Sequence, residues 1–273
     1  MFFLQLILLF SFFTSSVWAE EPQRIVSLAP NVTETLYYLG AGDKIVGVTE
    51  FCNWPEEVKK KTRVGGMINP SYEKIISLKP DMVIISKDGT PKEVYERLKK
   101  FNLNVYVFNA RHISNLPEEI IKLGETIGKK NEGIKIAKKI IMDINELKKS
   151  FKKQKAIFII WLEPLIAVGA NSHINEIMNI LGLKNIASDI PLTYVPLNVE
   201  EIIKKDPEII FIGEGHAGKE YLEKFLERIK YTSAVKKSRV YYINETIYHL
   251  SPRIIEGIKD MSRIGYNLNK KVD

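Results

Sequence analysis

The segment IIFIGEGHAGKEY, residues 209–221, runs four apolar residues into Gly213, Gly215 and Gly218, with Lys219 behind them. Its spacing satisfies G-x-G-x-x-G and most of G-x-x-x-x-G-K-[ST], two patterns that cradle phosphates on backbone amides. Its details argue against a nucleotide. Glu220 stands where a P-loop needs a magnesium-binding hydroxyl, and Glu214 would set a negative charge beside the phosphates. A dinucleotide fingerprint also opens the first βα unit, whereas this segment lies in the last third of the chain. The glycines instead permit a sharp turn at a strand's carboxyl end and close approach to a ligand. Catalytic patterns are equally thin: no G-x-S-x-G elbow, HExxH pair or Cys/His zinc spacing occurs. The four histidines, His112, His173, His216 and His249, are scattered. His216 or His249 could face a metal carried by a ligand, the competing reading being a plain polar loop residue. An exported α/β enzyme using Glu163 or His216 as acid or base is the alternative class of function.

These residues need elements to position them. Short β-branched runs (RIVSL, KIVGVT, DMVIIS, NVYVFN, then AIFIIW, EIIFIG and RVYYIN) read as strands. Amphipathic stretches between them (VTETLYYLG, EKIISLK, KEVYERLKKF, INEIMNILG, VEEIIKK, YLEKFLERI) read as helices. That alternation predicts an α/β fold of mainly parallel sheets. Ligands of such folds bind beyond the carboxyl ends of the strands. The residues there are Phe51, Trp54, Lys87, Arg111 and His112 in the first half. In the second half they are Trp161, Glu163, His216, Tyr248 and His249, with Tyr194 in the connection before Asn198. Aromatics with a few cationic and imidazole groups suit a large, flat, partly anionic ligand. Taken singly, each aromatic could equally be core.

The chain repeats itself. NPSYEKIISLKPDMVII (69–85) lies over PLNVEEIIKKDPEIIFI (196–212), with Glu73 on Glu200 and Pro80 on Pro207, an offset of 127. Upstream, TLYYLGAGDKI answers IMNILGLKNI, and Gly40 and Gly182 fall where helices end. Asn69-Pro70 and Asn198 with Glu201 signal helix starts before or around the two glutamates. Between the repeats, Ile134, Ala137, Ile140, Ile141, Ile144, Leu147 and Phe151 share a helical face. The expected organisation is a lobe over 20–130, a connecting helix over 131–154, and a lobe over 155–273 with a terminal helix. The two lobes would be Rossmann-like, joined by that one long helix. A surface helix of a single domain fits the same periodicity.

MFFLQLILLFSFFTSSVWA, residues 1–19, is apolar and then small, the pattern of a signal peptide cut before Glu20. No Cys sits at that point to carry a lipid, so a soluble periplasmic product is expected. Cys52 is the single cysteine, so no intrachain disulfide forms, and it reads as a small buried hydrophobe. The net charge of +7 comes from lysines on helix faces without interleaved aromatics. A solvated surface explains it better than nucleic acid.

The segments R-I-V-S-L-A-P-N-V-T-E-T-L-Y-Y-L-G-A-G-D-K-I-V-G-V-T, W-P, V-G-G, E-K-I-I-S-L-K-P-D-M-V-I-I-S, W-L-E-P-L-I-A-V-G and L-S-P-R-I-I-E-G follow in order along nearly all of the mature chain. Together they resemble the helix-strutted (class III) periplasmic substrate-binding proteins of ABC importers. That family carries vitamin B12, iron–siderophores and haem. The resemblance implies two lobes that hold a ligand in a cleft, move modestly and dock on a membrane permease, with no catalysis and no cofactor. It also implies a surface glutamate on each lobe pairing with permease arginines. The matching positions are Glu73 and Glu200, which the repeat independently makes equivalent. Like charges at pseudo-symmetric points suit a permease dimer in the inner membrane, met by a monomeric carrier. The competing reading is that both glutamates merely favour helix N-termini. W-L-E-P-L-x-x-x-G with a later S-P-R resembles the cobalamin-type members, and Phe51 and Trp54 match positions near their corrinoid-lining aromatics. Met67 and Lys87 each stand where a B12 protein has a Trp, and Lys87 could meet carboxylates of haem or a siderophore. The implied cargo is a cobalt corrinoid, with ferric siderophore or haem as the alternative.

Overall fold

The structure is a computed structural model that describes residues 21–148, 150–214 and 219–270. The signal-peptide reading of residues 1–19, His216 and most of the GEGHAGK turn therefore lie outside the described residues. The first half runs β1 (Ile25–Ser27), α1 (Pro30–Tyr38), β2 (Ile45–Val48), β3 (Thr62–Arg63), α2 (Tyr72–Ser77), β4 (Met82–Ser86), α3 (Lys92–Lys100), β5 (Val105–Phe108) and α4 (Leu116–Thr126). Its strands form a wholly parallel sheet in the order β3-β2-β1-β4-β5. Then come α5 (Lys130–Leu147), β6 (Lys155–Leu162), β7 (Leu165–Val168), α6 (His173–Leu181), β8 (Lys184–Asn185), β9 (Tyr194–Pro196) and α7 (Val199–Lys205). The chain closes with β10 (Ile209–Gly213), α8 (Lys219–Arg228), α9 (Ser233–Lys236), β11 (Val240–Ile243) and α10 (Ile254–Lys270). The second sheet is mixed, in the order β11-β10-β6-β7-β9, with β8 beside the start of β6. β7 runs antiparallel to β6 and β9, while β8, β10 and β11 keep the parallel direction.

Local chemistry explains where the elements stop. β4 and β10 are buried at every residue, as strands covered on both faces must be. Asn198 caps α7 in a box with Glu201, and Gly182 ends α6 at φ +90°. Gly40 likewise follows α1 at φ +71°. The start of α2 differs from expectation: Ser71, not Asn69-Pro70, is the cap, its hydroxyl accepting from the Lys74 amide.

The connecting helix is a further correction. It spans 18 residues, Lys130–Leu147, so it is about 27 Å long at 1.5 Å per residue, and it ends well short of residue 154. Lys148 already leaves helical geometry at ψ 138°. Phe151 belongs to the second sheet's core, its ring edge-on to Phe211 at 6.2 Å and its amide donating to Leu181 O. Ile141, expected on the apolar face, is exposed, and Asp143 is the buried residue, within reach of Lys139 and Lys259. α5 packs along α4 and against α6 and α10. The backbones of α4 and α5 approach closely: a Cβ on Gly133 would lie 3.1 Å from Ile120 O.

Three apolar clusters result. One covers the outer face of the first sheet (Val26, Val83, Val94, Leu98) and one that of the second (Ile157, Ile210, Phe225, Ile229). The third is continuous through both halves, from Leu36 and Ile120 through Ile140 to Phe158, Met178 and Ile254. A shared core, and not a rod alone, joins the halves.

Candidate functional site

Each sheet has a switch point. β1 lies between β2 and β4, and β6 between β7 and β10, so successive connections leave in opposite directions and their loops part. In the first half, Phe51 follows β2 and is 62 % exposed. Its ring borders Gly66, where an added Cβ would lie 3.6 Å from Phe51 Cε2. Met67 extends onto Gly89, whose φ of +83° favours glycine and where a Cβ would lie 2.8 Å from Met67 Cε. Phe51, Met67 and the Lys87-Asp88-Gly89 turn thus make one contiguous wall, with Lys87 and Asp88 exposed.

The second half answers with phenols. A Cβ at Gly213 would overlap the Tyr248 hydroxyl, so the first glycine of the G-x-G-x-x-G pattern is there to seat Tyr248. The Tyr248 ring stands edge-on to Phe158 at 6.3 Å. Burial raises its phenol pKa, and the neighbouring Tyr194 and Glu214 add to the rise. The Tyr194 phenol, on β9, is raised too, first by desolvation and then by the carboxylate of Asp88 from the opposite half. Both tyrosines therefore remain protonated near neutral pH. Asp88 thus acts on Tyr194 across the gap, and Tyr194 and Glu214 act on Tyr248. The rim closes where Asn53 Nδ2 donates to Glu245 Oε1 at 3.4 Å.

Other expected residues are placed differently. Trp54 stacks on Tyr38 at 5.3 Å between centroids, with the Arg253 guanidinium 4.7 Å over its ring. Its indole is thus committed, at least in part, to the junction of the halves. Trp161, half-exposed on β6, donates its indole N–H to Glu163 O at 2.6 Å, at the tip of the β6–β7 hairpin. Arg111 and His112 are exposed, and His112 Nδ1 lies 3.7 Å from Glu176. His249 Nδ1 donates to Glu34 at 2.8 Å, which ties the ring to the first half. His173 is buried, with Nε2 donating to Ile247 O at 2.9 Å. Burial lowers its pKa, overriding the opposite pull of that carbonyl and of Asp88 and Glu176. Cys52 is buried as expected, near the Thr33 and Thr49 hydroxyls at 3.1 Å, and burial raises its thiol pKa. A groove of about 840 Å³ between the hairpin tip, the start of α7 and α8 shares only Glu163 with the candidates.

Glu73 and Glu200 are exposed near the starts of α2 and α7. One turn on, Ile76 and Ile203 occupy equivalent positions and are 42 % and 41 % exposed, while Ile75 and Ile202 are buried. Sequence reasoning missed Tyr38, Asp88, Glu34 and Arg253. Asp88 had a signal in the K-D-G turn, and Glu34 and Arg253 sit inside the T-E and S-P-R motifs. Their meeting needed the fold. Among the described residues, no cluster of three or more His, Cys, Asp or Glu could hold a metal ion, and no helix is long and apolar enough to cross a membrane.

Gly89 admits Met67 on one wall and Gly213 admits Tyr248 on the other. The periplasmic binding protein family profile matches residues 25–246, and the chain belongs to that family. It is more narrowly a substrate-binding protein of an ABC transporter, working with a membrane permease and a small ligand, and not an enzyme. An uncharacterised ABC transporter substrate-binding lipoprotein of Bacillus subtilis is 34% identical over 258 residues, covering 90% of this chain and 81% of its own. A vitamin B12-binding protein of Vibrio parahaemolyticus is 29% identical over 204 residues, covering 73% of this chain and 74% of its own. In fold, the vitamin B12-binding protein BtuF of Vibrio cholerae superposes with a TM-score of 0.79 at 24% identity, over 91% of this chain and 98% of that one. The haem-binding protein RhuT of Roseiflexus gives a TM-score of 0.80 at 21% identity, over 90% and 98%.

Proposed function

We propose that the protein is an exported, monomeric carrier that binds cobalamin or a related corrinoid in the cleft and delivers it to a permease dimer in the inner membrane. The observation that carries this reading is the apolar wall of Phe51 and Met67 opposite the protonated phenols of Tyr194 and Tyr248. Such a gap offers wide apolar contact with few, oriented hydrogen bonds, which suits a bulky macrocycle. Lys87 extends the wall, with Trp161 and His216 as further lining positions. The likeness to B12-binding proteins supports the same cargo. Export follows from residues 1–19, with cleavage after Ala19.

One observation favours a second reading. Lys87 is exposed at the end of β4 and could pair with the carboxylates of haem or a siderophore. Titrating the mature protein with cyanocobalamin, haemin and a ferric siderophore, with tryptophan fluorescence as the signal, separates the two. Saturable quenching by cyanocobalamin is expected. Silence toward it beside tight haemin binding would overturn the corrinoid assignment.

A further inference from the structure

The internal repeat reaches further than the two glutamates on α2 and α7. T-E-T-L-Y-Y-L-G (33–40) lies over N-E-I-M-N-I-L-G (175–182), which places Glu34 of α1 on Glu176 of α6 at an offset of 142. The segments after the edge strands β5 and β11 correspond as well. His112-Ile113-Ser114 lies over His249-Leu250-Ser251 at an offset of 137. Nothing in sequence joins these two correspondences. In the structure they meet, crosswise.

Glu34, in the first half, reaches the His-Leu-Ser turn of the second. Its carboxylate accepts from His249 Nδ1 at 2.8 Å, from the Ser251 hydroxyl, and from Arg253 Nη1 at 3.0 Å. Glu176, in the second half, reaches the His-Ile-Ser turn of the first. It accepts from the Ile113 amide at 2.8 Å and the Ser114 amide at 3.0 Å, with His112 Nδ1 at 3.7 Å. Glu34 is 1 % exposed, so it left water entirely to make these bonds. A buried carboxylate whose partners among the described residues all lie in the opposite half is stable at one lobe angle and destabilised at others. Amide pairs gripped by Glu176 are equally directional. The Glu34 clamp also reaches the aromatic pair at the junction of the halves, since the arginine it holds covers Trp54, which in turn stacks on Tyr38.

We propose that Glu34 and Glu176 are reciprocal positioning residues: each anchors the His-x-Ser turn of the opposite half, and together they set the angle at which the cleft walls face one another. The proposal takes the gap as the binding site but does not depend on which ligand fills it. It predicts a lobe angle that is narrowly distributed even without ligand. It also predicts that the halves open as a hinge only when a clamp breaks.

The test uses the mature chain with spin labels on Glu96→Cys and Glu227→Cys, both exposed and on opposite halves. Cys52 is 1 % exposed and escapes labelling. Pulsed dipolar spectroscopy should give one narrow distance distribution for the parent. Glu34→Gln and Glu176→Gln should each broaden it, and the double variant should roughly double its width, while far-ultraviolet dichroism stays unchanged. A merely structural glutamate would lower the melting temperature without changing the distance distribution of the folded protein. Should Glu34→Gln fail to fold, Ser251→Ala and His249→Ala remove two of its three bonds from the other side and should broaden the distribution instead. An unchanged distribution in every folded variant would overturn the proposal. Because no ligand is added, such a failure leaves the corrinoid assignment standing. A failed cyanocobalamin titration, conversely, leaves the clamps standing.

Discussion

His173 opens α6 with its ring enclosed and one nitrogen donating to Ile247 O. Burial lowers its pKa, so the folded protein resists a proton that the unfolded chain accepts at about 6.5. The sign follows from linkage. This side chain costs no stability above pH ~6.5, and stability falls as pH drops below that value toward the lowered folded pKa, because only the unfolded state takes up the proton. Urea midpoints should therefore decline from pH 7 to pH 5. His173→Gln, which retains a donor for the carbonyl, should flatten part of that decline. Parallel slopes for both proteins would show that His173 is not the group responsible. The same scale explains what residue types can and cannot reveal. Cys52 read as a buried hydrophobe because a lone thiol has few other uses, and it is one. Trp54 read as ligand-facing from its place after a strand, yet Arg253, 199 positions away (253 minus 54), lies over its ring. No local pattern carries that information.

Elements were legible in proportion to their length and the regularity of their apolar spacing. The seven β-branched runs all became strands: β1, β2, β4, β6 and β10 lie inside their sheets, and β5 and β11, though edge strands, keep four consecutive apolar or aromatic residues each. β3 and β8 have two residues and β9 has three, too short for a period to register. α4 was missed because Pro117 and Gly124 break up its apolar pattern, although the glycine is what lets α5 approach. The end of α5 was overrun for the opposite reason. Phe151 keeps the helical spacing but is packed into the second sheet, and packing overrides periodicity. Caps are the part of element chemistry that the sequence states most directly. Asn198 accepts from the Glu201 amide at 2.8 Å and the Glu201 carboxylate answers at the Asn198 amide at 3.4 Å. Asn198→Ala should cost about 1 kcal/mol, read as a lower urea midpoint at unchanged slope. Glu201→Gln should cost less, since an amide oxygen still accepts. An unshifted midpoint for Asn198→Ala would mean that the first turn of α7 is held by burial of Val199 and Ile202 alone.

At the scale of the whole molecule, one core cluster spans both halves, and features repeated on both become a two-point ruler. Each half offers an exposed glutamate and, one turn on, an exposed isoleucine: Glu73 with Ile76, and Glu200 with Ile203. A helix N-terminus favours acidic residues anyway, but it does not ask for isoleucine in water twice at the same register. A partner with two-fold symmetry would meet both points together, and the second contact would then form at high effective concentration. Association with the cognate permease in nanodiscs should accordingly weaken roughly tenfold, or ~1.4 kcal/mol, for Glu73→Ala or Glu200→Ala alone, and by much more for the pair. The glutamate losses should shrink as salt rises, because exposed charges are screened, while Ile76→Ser and Ile203→Ser should cost affinity at every salt concentration. Ligand affinity in solution should not change, since neither pair touches the cleft walls. Should the double glutamate variant dock as the parent does, the acidic pair has no part in docking. If only the isoleucine variants are silent, the contact is electrostatic alone, and the matched register of Ile76 and Ile203 reflects common descent of the halves without a shared use.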